Sequence, residues 1–360
     1  MQTFIDVYDL SKRLHGKKVC VDDVISTYSK KPESHKSSWT FLVINQLRHA
    51  GIDAKLLEKG QDVNEFDAWL VLLPMDYKGT FNMFSGASDE NAHRINRLAI
   101  FNGDIFCLNE RMPDYGTVLL SRMNSCEDFW KSLNPSQFSD ICSNVPTVRV
   151  VLRSEVFAMG DSHTVSVYVP GSNINRNDGK TLYGAIKDGD LSKFIYDGVY
   201  PKNVITYFGN IDVRHHLLRE SNPQDSAVKL CNKYMESLVK LRDSYELETV
   251  SPVCLLPIEN EDRRIPKTGW YKGTPFFGSR EERSNVVRLF NDELMEHSSR
   301  LGFAPITWPD FWYTIDPEEY SSKFMEKPGS VHLSRSSYQY NFENDEKNKF
   351  QNPNRSVALF

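Results

Sequence analysis

The chain has 360 residues, 40 % hydrophobic, 12 % aromatic and 25 % charged, with a formal net charge of −5. That length fits about two domains with sizeable cores, and the apolar share excludes a chain disordered by composition. The acidic balance argues against nucleic-acid binding through overall charge, and no apolar run approaches the length of a membrane span.

The six cysteines, Cys20, Cys107, Cys126, Cys142, Cys231 and Cys254, stand singly, with no Cys-x-x-Cys pair and no metal-ligand spacing. Several lie in apolar runs, where a free cysteine acts as a small core residue. A reducing, cytoplasmic setting is therefore expected, with no metal and no other cofactor. Residues 1–6 lack a basic segment followed by an apolar core, which reads as no signal peptide.

In chain order, residues 17–23 read as a short buried strand ending in acids. Residues 39–51 have helical spacing, with Ser37 or Ser38 as cap and Gly51 as stop. Residues 52–57 and 66–74 are further strands, 92–101 a helix, and 104–108 and 117–120 strands again. Strands alternating with helices imply a parallel sheet wound on both faces, so residues 1–147 read as a Rossmann-like domain. There is no Gly-x-Gly-x-x-Gly after the first strand and no Gly-Lys-Ser/Thr loop, so a dinucleotide or P-loop site has no support. The order of strand, Ser-started helix and Asp67-Ala68-Trp69-apolar strand is similar to the N-terminal half of two-Rossmann glycosyltransferases, including phage DNA glucosyltransferases.

A fresh strand is predicted at 148–152, opening a second domain over 148–338, followed by a polar tail at 339–360. The apolar run Val156-Phe157-Ala158-Met159 ends abruptly in Gly160-Asp161-Ser162-His163-Thr164. A buried strand looks like this when it delivers a hydroxyl to a sheet edge. Gly160 permits a turn where a side chain would clash, and Asp161 and Ser162 are suited to cap a following helix, whose N-terminus favours negative charge. Residues 173–179 read as an Asn- and Gly-rich loop, and 179–184 as the opening of a helix. A strand at 203–208 ends in Gly209-Asn210-Ile211-Asp212-Val213-Arg214-His215. An amphipathic helix over 225–245, a strand at 252–256, a long aromatic loop at 259–278, a helix at 280–301 and a last strand at 303–308 complete the pattern. The loop holds Trp270, Tyr271, Phe276 and Phe277, which suits stacking on a sugar or base as well as plugging a core.

Gly160-Asp161-Ser162, the 209–215 stretch and Gly329-Ser330-Val331-His332-Leu333 together resemble, in order, the motif blocks of the SGNH, or GDSL-type, hydrolases. The resemblance covers residues 148–338 and implies a three-layer, flavodoxin-like α/β fold. It implies Ser162 as nucleophile and His332 as its general base, with the N–H groups of Ser162 and Gly179, assisted by Asn210, as the oxyanion hole. Asp161, His163, Asp212, Arg214 and His215 would then shape a polar substrate pocket, although Asp212 and Arg214 also suit a structural ion pair. Two departures stand out. Ile211 occupies the place of the expected Asn in the 209–215 block, and Gly329 occupies the place of the Asp that orients the histidine. Ser162 and His332 then act as a dyad, with a backbone carbonyl or an acid such as Asp310 holding the imidazole, or hydrolysis has been lost.

The leading expectation is a serine hydrolase or O-acyl transferase that moves an acyl group, acetyl above all, on a carbohydrate or similar polar small molecule. The alternative is a two-domain glycosyltransferase, with a nucleotide sugar or DNA as partner and Gly160-Asp161-Ser162 at the phosphates. A third is a non-catalytic protein that binds a glycan or a partner. None of the three calls for a membrane.

Overall fold

The structure is a computed structural model. It describes residues 14, 16–23, 38–49, 51–58, 60–73, 101, 103–109, 117–119, 147–149, 154–196, 199–259, 273, 277–327 and 329–340. The helix expected at 92–101, apart from residue 101, most of the loop at 259–278 and most of the tail at 339–360 lie outside them. The chain is an α/β protein with two sheets and divides into two compact units. The first comprises Met1–Arg153, Pro170–Ile174 and Phe342–Glu346, and the second the rest.

In the first unit, β1 (Lys18–Asp23), β2 (Asp53–Leu56), β3 (Ala68–Leu73), β4 (Asp104–Asn109), β5 (Thr117–Leu119) and β6 (Thr147–Arg149) form one sheet in the order β2-β1-β3-β4-β5-β6. The first four are parallel. Val19, Cys20 and Val21 are all buried, as a strand covered on both faces requires. Helix α1 (Ser38–His49) buries Leu42, Ile44 and Leu47 and leaves Arg48 and His49 exposed in its last turn, where cations suit the dipole. It stops at Gly51, whose positive φ of 80° lets its N–H reach the Arg48 carbonyl. Two expectations change here. The sheet is not wholly parallel, because β5 and β6 run antiparallel at its edge. The strand predicted to open the second domain instead closes this sheet, with Val148 opposite Val118, and the first unit runs on to Arg153.

A second sheet consists of β7 (Val156–Gly160), β8 (Asn173–Arg176), β9 (Asn203–Tyr207) and β10 (Thr249–Pro252) in the order β10-β9-β7-β8, with β7, β9 and β10 parallel. Residues 173–176, expected as loop, are a fully buried strand, and the Asn175 side chain satisfies the Phe194 carbonyl at 2.7 Å. Asparagines read as loop formers in sequence, but a buried amide with a partner is an acceptable strand residue. Helix α2 (Leu182–Ile186) is capped by Thr181, and α3 (Asn210–His215) starts from Gly209 at a φ of 111°. Helix α4 (Pro223–Tyr245) buries Ala227, Leu230, Tyr234, Leu238 and Leu241, the spacing seen in the sequence. It packs against α5 (Arg280–Leu301), which opens with a Ser279–Glu282 capping box and stops at Gly302. The expected last strand shrinks to a single bridge, Val253 to Ile306, because Pro305 and Pro309 offer no N–H to a ladder. Helix α6 (Pro317–Phe324) then leads into the segment that carries His332.

Cys20, Cys231 and Cys254 are buried thiols, and burial pushes those of Cys231 and Cys254 up to about 12. They are inert core residues. Among the described residues no helix is long and apolar enough to cross a membrane, and no cluster of three or more His, Cys, Asp or Glu suits a metal ion.

Candidate active site

Strand β7 fixes the position of Ser162. A side chain at Gly160 would overlap the Tyr207 carbonyl of the neighbouring strand and the Thr164 hydroxyl, so only glycine fits. The chain then turns sharply: Asp161 N–H donates to the Tyr207 carbonyl at 2.9 Å, and the Asp161 carbonyl accepts the Thr164 hydroxyl at 2.7 Å. From residue 157 to 168 every residue is buried except Ser162. The expected helix is a four-residue 3-10 turn, Thr164–Val167, that begins after Ser162, and its N-cap residue His163 makes no side-chain cap. So short a turn has little dipole, and stabilisation of negative charge here falls to individual N–H groups.

His332 reaches this turn from the far end of the chain. Its Nε2 lies 2.9 Å from the Ser162 hydroxyl oxygen, although 170 residues separate them. Both side chains are half-buried. The distance is that of a hydrogen bond between a hydroxyl nucleophile and its base.

His163 and Asp161 have a different task from the substrate contacts expected of them. Asp161 is fully buried, and its Oδ1 accepts both the backbone N–H and the ring Nδ1 of His163, each at 2.8 Å. The other ring nitrogen of His163 lies 3.0 Å from the carbonyl oxygen of Val331, the residue before His332. The two imidazoles sit 5.0 Å apart at a shallow 31°. His163 therefore ties the serine turn to the histidine segment from beneath.

The 209–215 stretch is likewise committed inward. Asp212 accepts the N–H groups of Leu182 at 2.6 Å and Tyr183 at 3.1 Å, and so holds the N-terminus of α2. Burial outweighs those two hydrogen bonds and raises its carboxyl to about 7. Arg214 pairs with Glu259, Nε to Oε2 at 2.9 Å, with both side chains at 3 % exposure or less, and donates from Nη1 to the Asn210 carbonyl at 2.9 Å. The expected Asp212–Arg214 pair is thus replaced by two separate interactions. His215 is buried. Asn210 is buried too, its amide oxygen taking the Leu256 N–H at 3.2 Å and its amide nitrogen lying in the interior beside the Tyr207 hydroxyl. An amide placed so does not face an open cleft. Gly179 is exposed at a φ of 76° in a turn tied to strand β7, because Asn177 N–H donates to the Gly160 carbonyl at 2.8 Å. Asp310, the candidate orienting acid, is exposed in the 3-10 turn Asp310–Tyr313.

A cavity of about 580 Å³ lies elsewhere in this unit, lined by Thr181, Tyr183, Asp212, His216, Lys229 and Lys233 among others. Neither Ser162 nor His332 lines it.

The serine turn and its histidine partner resemble those of the SGNH hydrolases. No protein-family model matches the chain, and no curated protein matches it. Among solved structures it is similar to a Streptococcus pneumonia protein assigned as a platelet activating factor, at 14 % identity over 54 % of this chain and 82 % of that one, with a TM-score of 0.37. It is similar to a member of the lipolytic protein G-D-S-L family from Veillonella parvula, at 15 % identity over 42 % and 76 %, TM-score 0.25. It is also similar to a catalytic mutant of an acetylxylan esterase from Geobacillus stearothermophilus, at 12 % identity over 52 % and 90 %, TM-score 0.29. These likenesses give no residue of this chain a role.

Sequence reasoning missed one acid and one carbonyl. Glu259 ends the apolar run 253–258 with no local sign of its partner. The Val331 carbonyl is a backbone atom, which no side-chain motif reports.

Proposed function

We propose that the second unit is an SGNH-type serine hydrolase or O-acyl transferase acting on an acyl ester of a carbohydrate or similar polar molecule, with acetyl as the favoured acyl group. The observation that carries this is the 2.9 Å contact between His332 Nε2 and the Ser162 hydroxyl, at the one opening in an otherwise buried turn. The Ser162 oxygen attacks the acyl carbonyl while His332 takes its proton. The tetrahedral intermediate collapses as His332 returns the proton to the leaving alkoxide. A serine ester remains, and water or an acceptor hydroxyl, deprotonated by the same imidazole, resolves it. The backbone N–H groups of Ser162 and Gly179 are the donors we assign to the oxyanion. The tie between Asn177 and the Gly160 carbonyl supports a place for Gly179 beside the nucleophile strand.

Labelling of the intact protein with a fluorophosphonate, followed by peptide mapping, tests this. Modification at Ser162 that disappears in His332→Ala is expected. Absence of labelling in the folded wild type would sink the proposal.

A further inference from the structure

Gly329 leaves the usual place of the orienting acid empty, yet the segment that carries His332 contains another acid. Met325 and Leu333 form an antiparallel bridge. Glu326 N–H donates to the His332 carbonyl at 3.0 Å, and Ser334 N–H to the Phe324 carbonyl at 2.8 Å, on either side of it. One step inward from the bridge, Glu326 stands directly across from His332. Residues opposite one another in an antiparallel pair project from the same face, with Cβ atoms about 5 Å apart. Glu326 is half-buried. Its Oε1 accepts the Ser330 hydroxyl at 2.6 Å, and that hydroxyl oxygen accepts the His332 backbone N–H at 3.2 Å. The carboxylate is thus held on the turn that presents the imidazole.

We propose that Glu326 is the positioning residue for His332, supplying from the opposite side of the hairpin the carboxylate that position 329 lacks. It draws the Nδ1 proton, which leaves Nε2 bare toward Ser162, and it stabilises the imidazolium formed when the serine proton is taken. The inference rests on the proposed Ser162–His332 chemistry. Among the described residues, His163 lies 5.0 Å from the His332 ring, tilted by 31°, with Asp161 bonded to His163 behind it. The pair of Asp161 and His163 fixes the floor of the site, and Glu326 lies opposite His332 on the same hairpin.

Glu326→Gln removes the charge and keeps an acceptor for Ser330, so it separates orientation from hairpin stability. We expect fluorophosphonate labelling at pH 7 to slow by about 10²- to 10⁴-fold, with the melting temperature little changed. The acid limb of the labelling-rate profile should move about one pH unit toward acid, because the carboxylate no longer favours the imidazolium. Glu326→Asp, which keeps the charge, should recover part of the rate, and it serves as the comparison if the Gln variant folds poorly. Labelling of Glu326→Gln at the wild-type rate with an unmoved profile overturns the inference while leaving the hydrolase proposal intact. If folded wild type does not label at all, the hydrolase proposal fails. The inference is then decided by NMR titration of the His332 ring in wild type and variant: an unmoved midpoint overturns it, and a midpoint lowered in the variant sustains the pairing.

Discussion

Two strand ends in the second unit, side by side in one parallel sheet, carry polar residues of similar composition and have opposite characters. At the end of β7, Ser162 is the one residue left half-open, and its hydroxyl meets a histidine from 170 residues away. At the end of β9, Asn210, Asp212, Arg214 and His215 are all buried and engaged with the protein itself. Ligands of open α/β sheets bind at the carboxyl edge of the strands, so polar residues at either end are reasonable site candidates. What separates machinery from scaffold here is whether the polar atoms are spent on the chain or left for a ligand. Arg214 has found its anion in Glu259, and Asp212 has found its donors in the backbone of α2.

The contrast predicts different consequences for similar substitutions. The largest effect belongs to Ser162→Ala, which should lower ester cleavage and labelling at least about 10³-fold. A half-open serine contributes little to packing, so the melting temperature should hold. Cleavage that persists in the folded variant would transfer the chemistry to another residue.

Next comes Arg214→Ala, which strands the Glu259 carboxylate in the interior and should cost about 3–5 kcal/mol, read by urea unfolding. Replacing both partners by Met and Leu should cost far less than the single change. A mild single variant with lost activity would return Arg214 to the substrate pocket.

Asp212 gives a pH signature. Burial raises its carboxyl from 3.8 to about 7, so between those values the folded state binds more protons than the unfolded chain. Stability from this group is complete below about pH 4 and is lost as pH rises through about 7, up to about 4 kcal/mol in all. The difference in unfolding free energy between wild type and Asp212→Asn should therefore slope across that window. A flat difference would mean that the carboxylate is ionised throughout.

The smallest effect is Asn210→Ala, which leaves the Leu256 N–H without its acceptor and should cost about 1–3 kcal/mol of stability. Labelling of Ser162 should slow by less than about tenfold. A loss of about 10²-fold or more would place its amide at the oxyanion after all.

Much of the fold is legible in the sequence because it is local. The three-residue and four-residue spacing of Ala227, Leu230, Tyr234, Leu238 and Leu241 describes one face of a helix wherever that helix packs. Gly51 and Gly302 end helices by their own backbone freedom. The sheet that receives Thr147–Arg149 is not legible in this way, since pairing with β5 is a choice between partners that a strand's own residues do not encode. Residues 173–176 look like loop in sequence because the Asn175 amide is satisfied only by a carbonyl further along the chain.

The sequence by itself marked Ser162 as the candidate nucleophile: an apolar run that stops at Gly160, then Asp161 and a serine. It also determined that His332 is a candidate base. Only the tertiary structure decided that Ser162 and His332 meet, that Asp161 and His163 hold the ground beneath them, and that the backbone of Glu326 lies opposite that of His332. The reason is physical. Strand ends and turns follow from the conformational limits of a few neighbouring residues, whereas the partner of a buried charge or a catalytic base is set by which distant segments pack together.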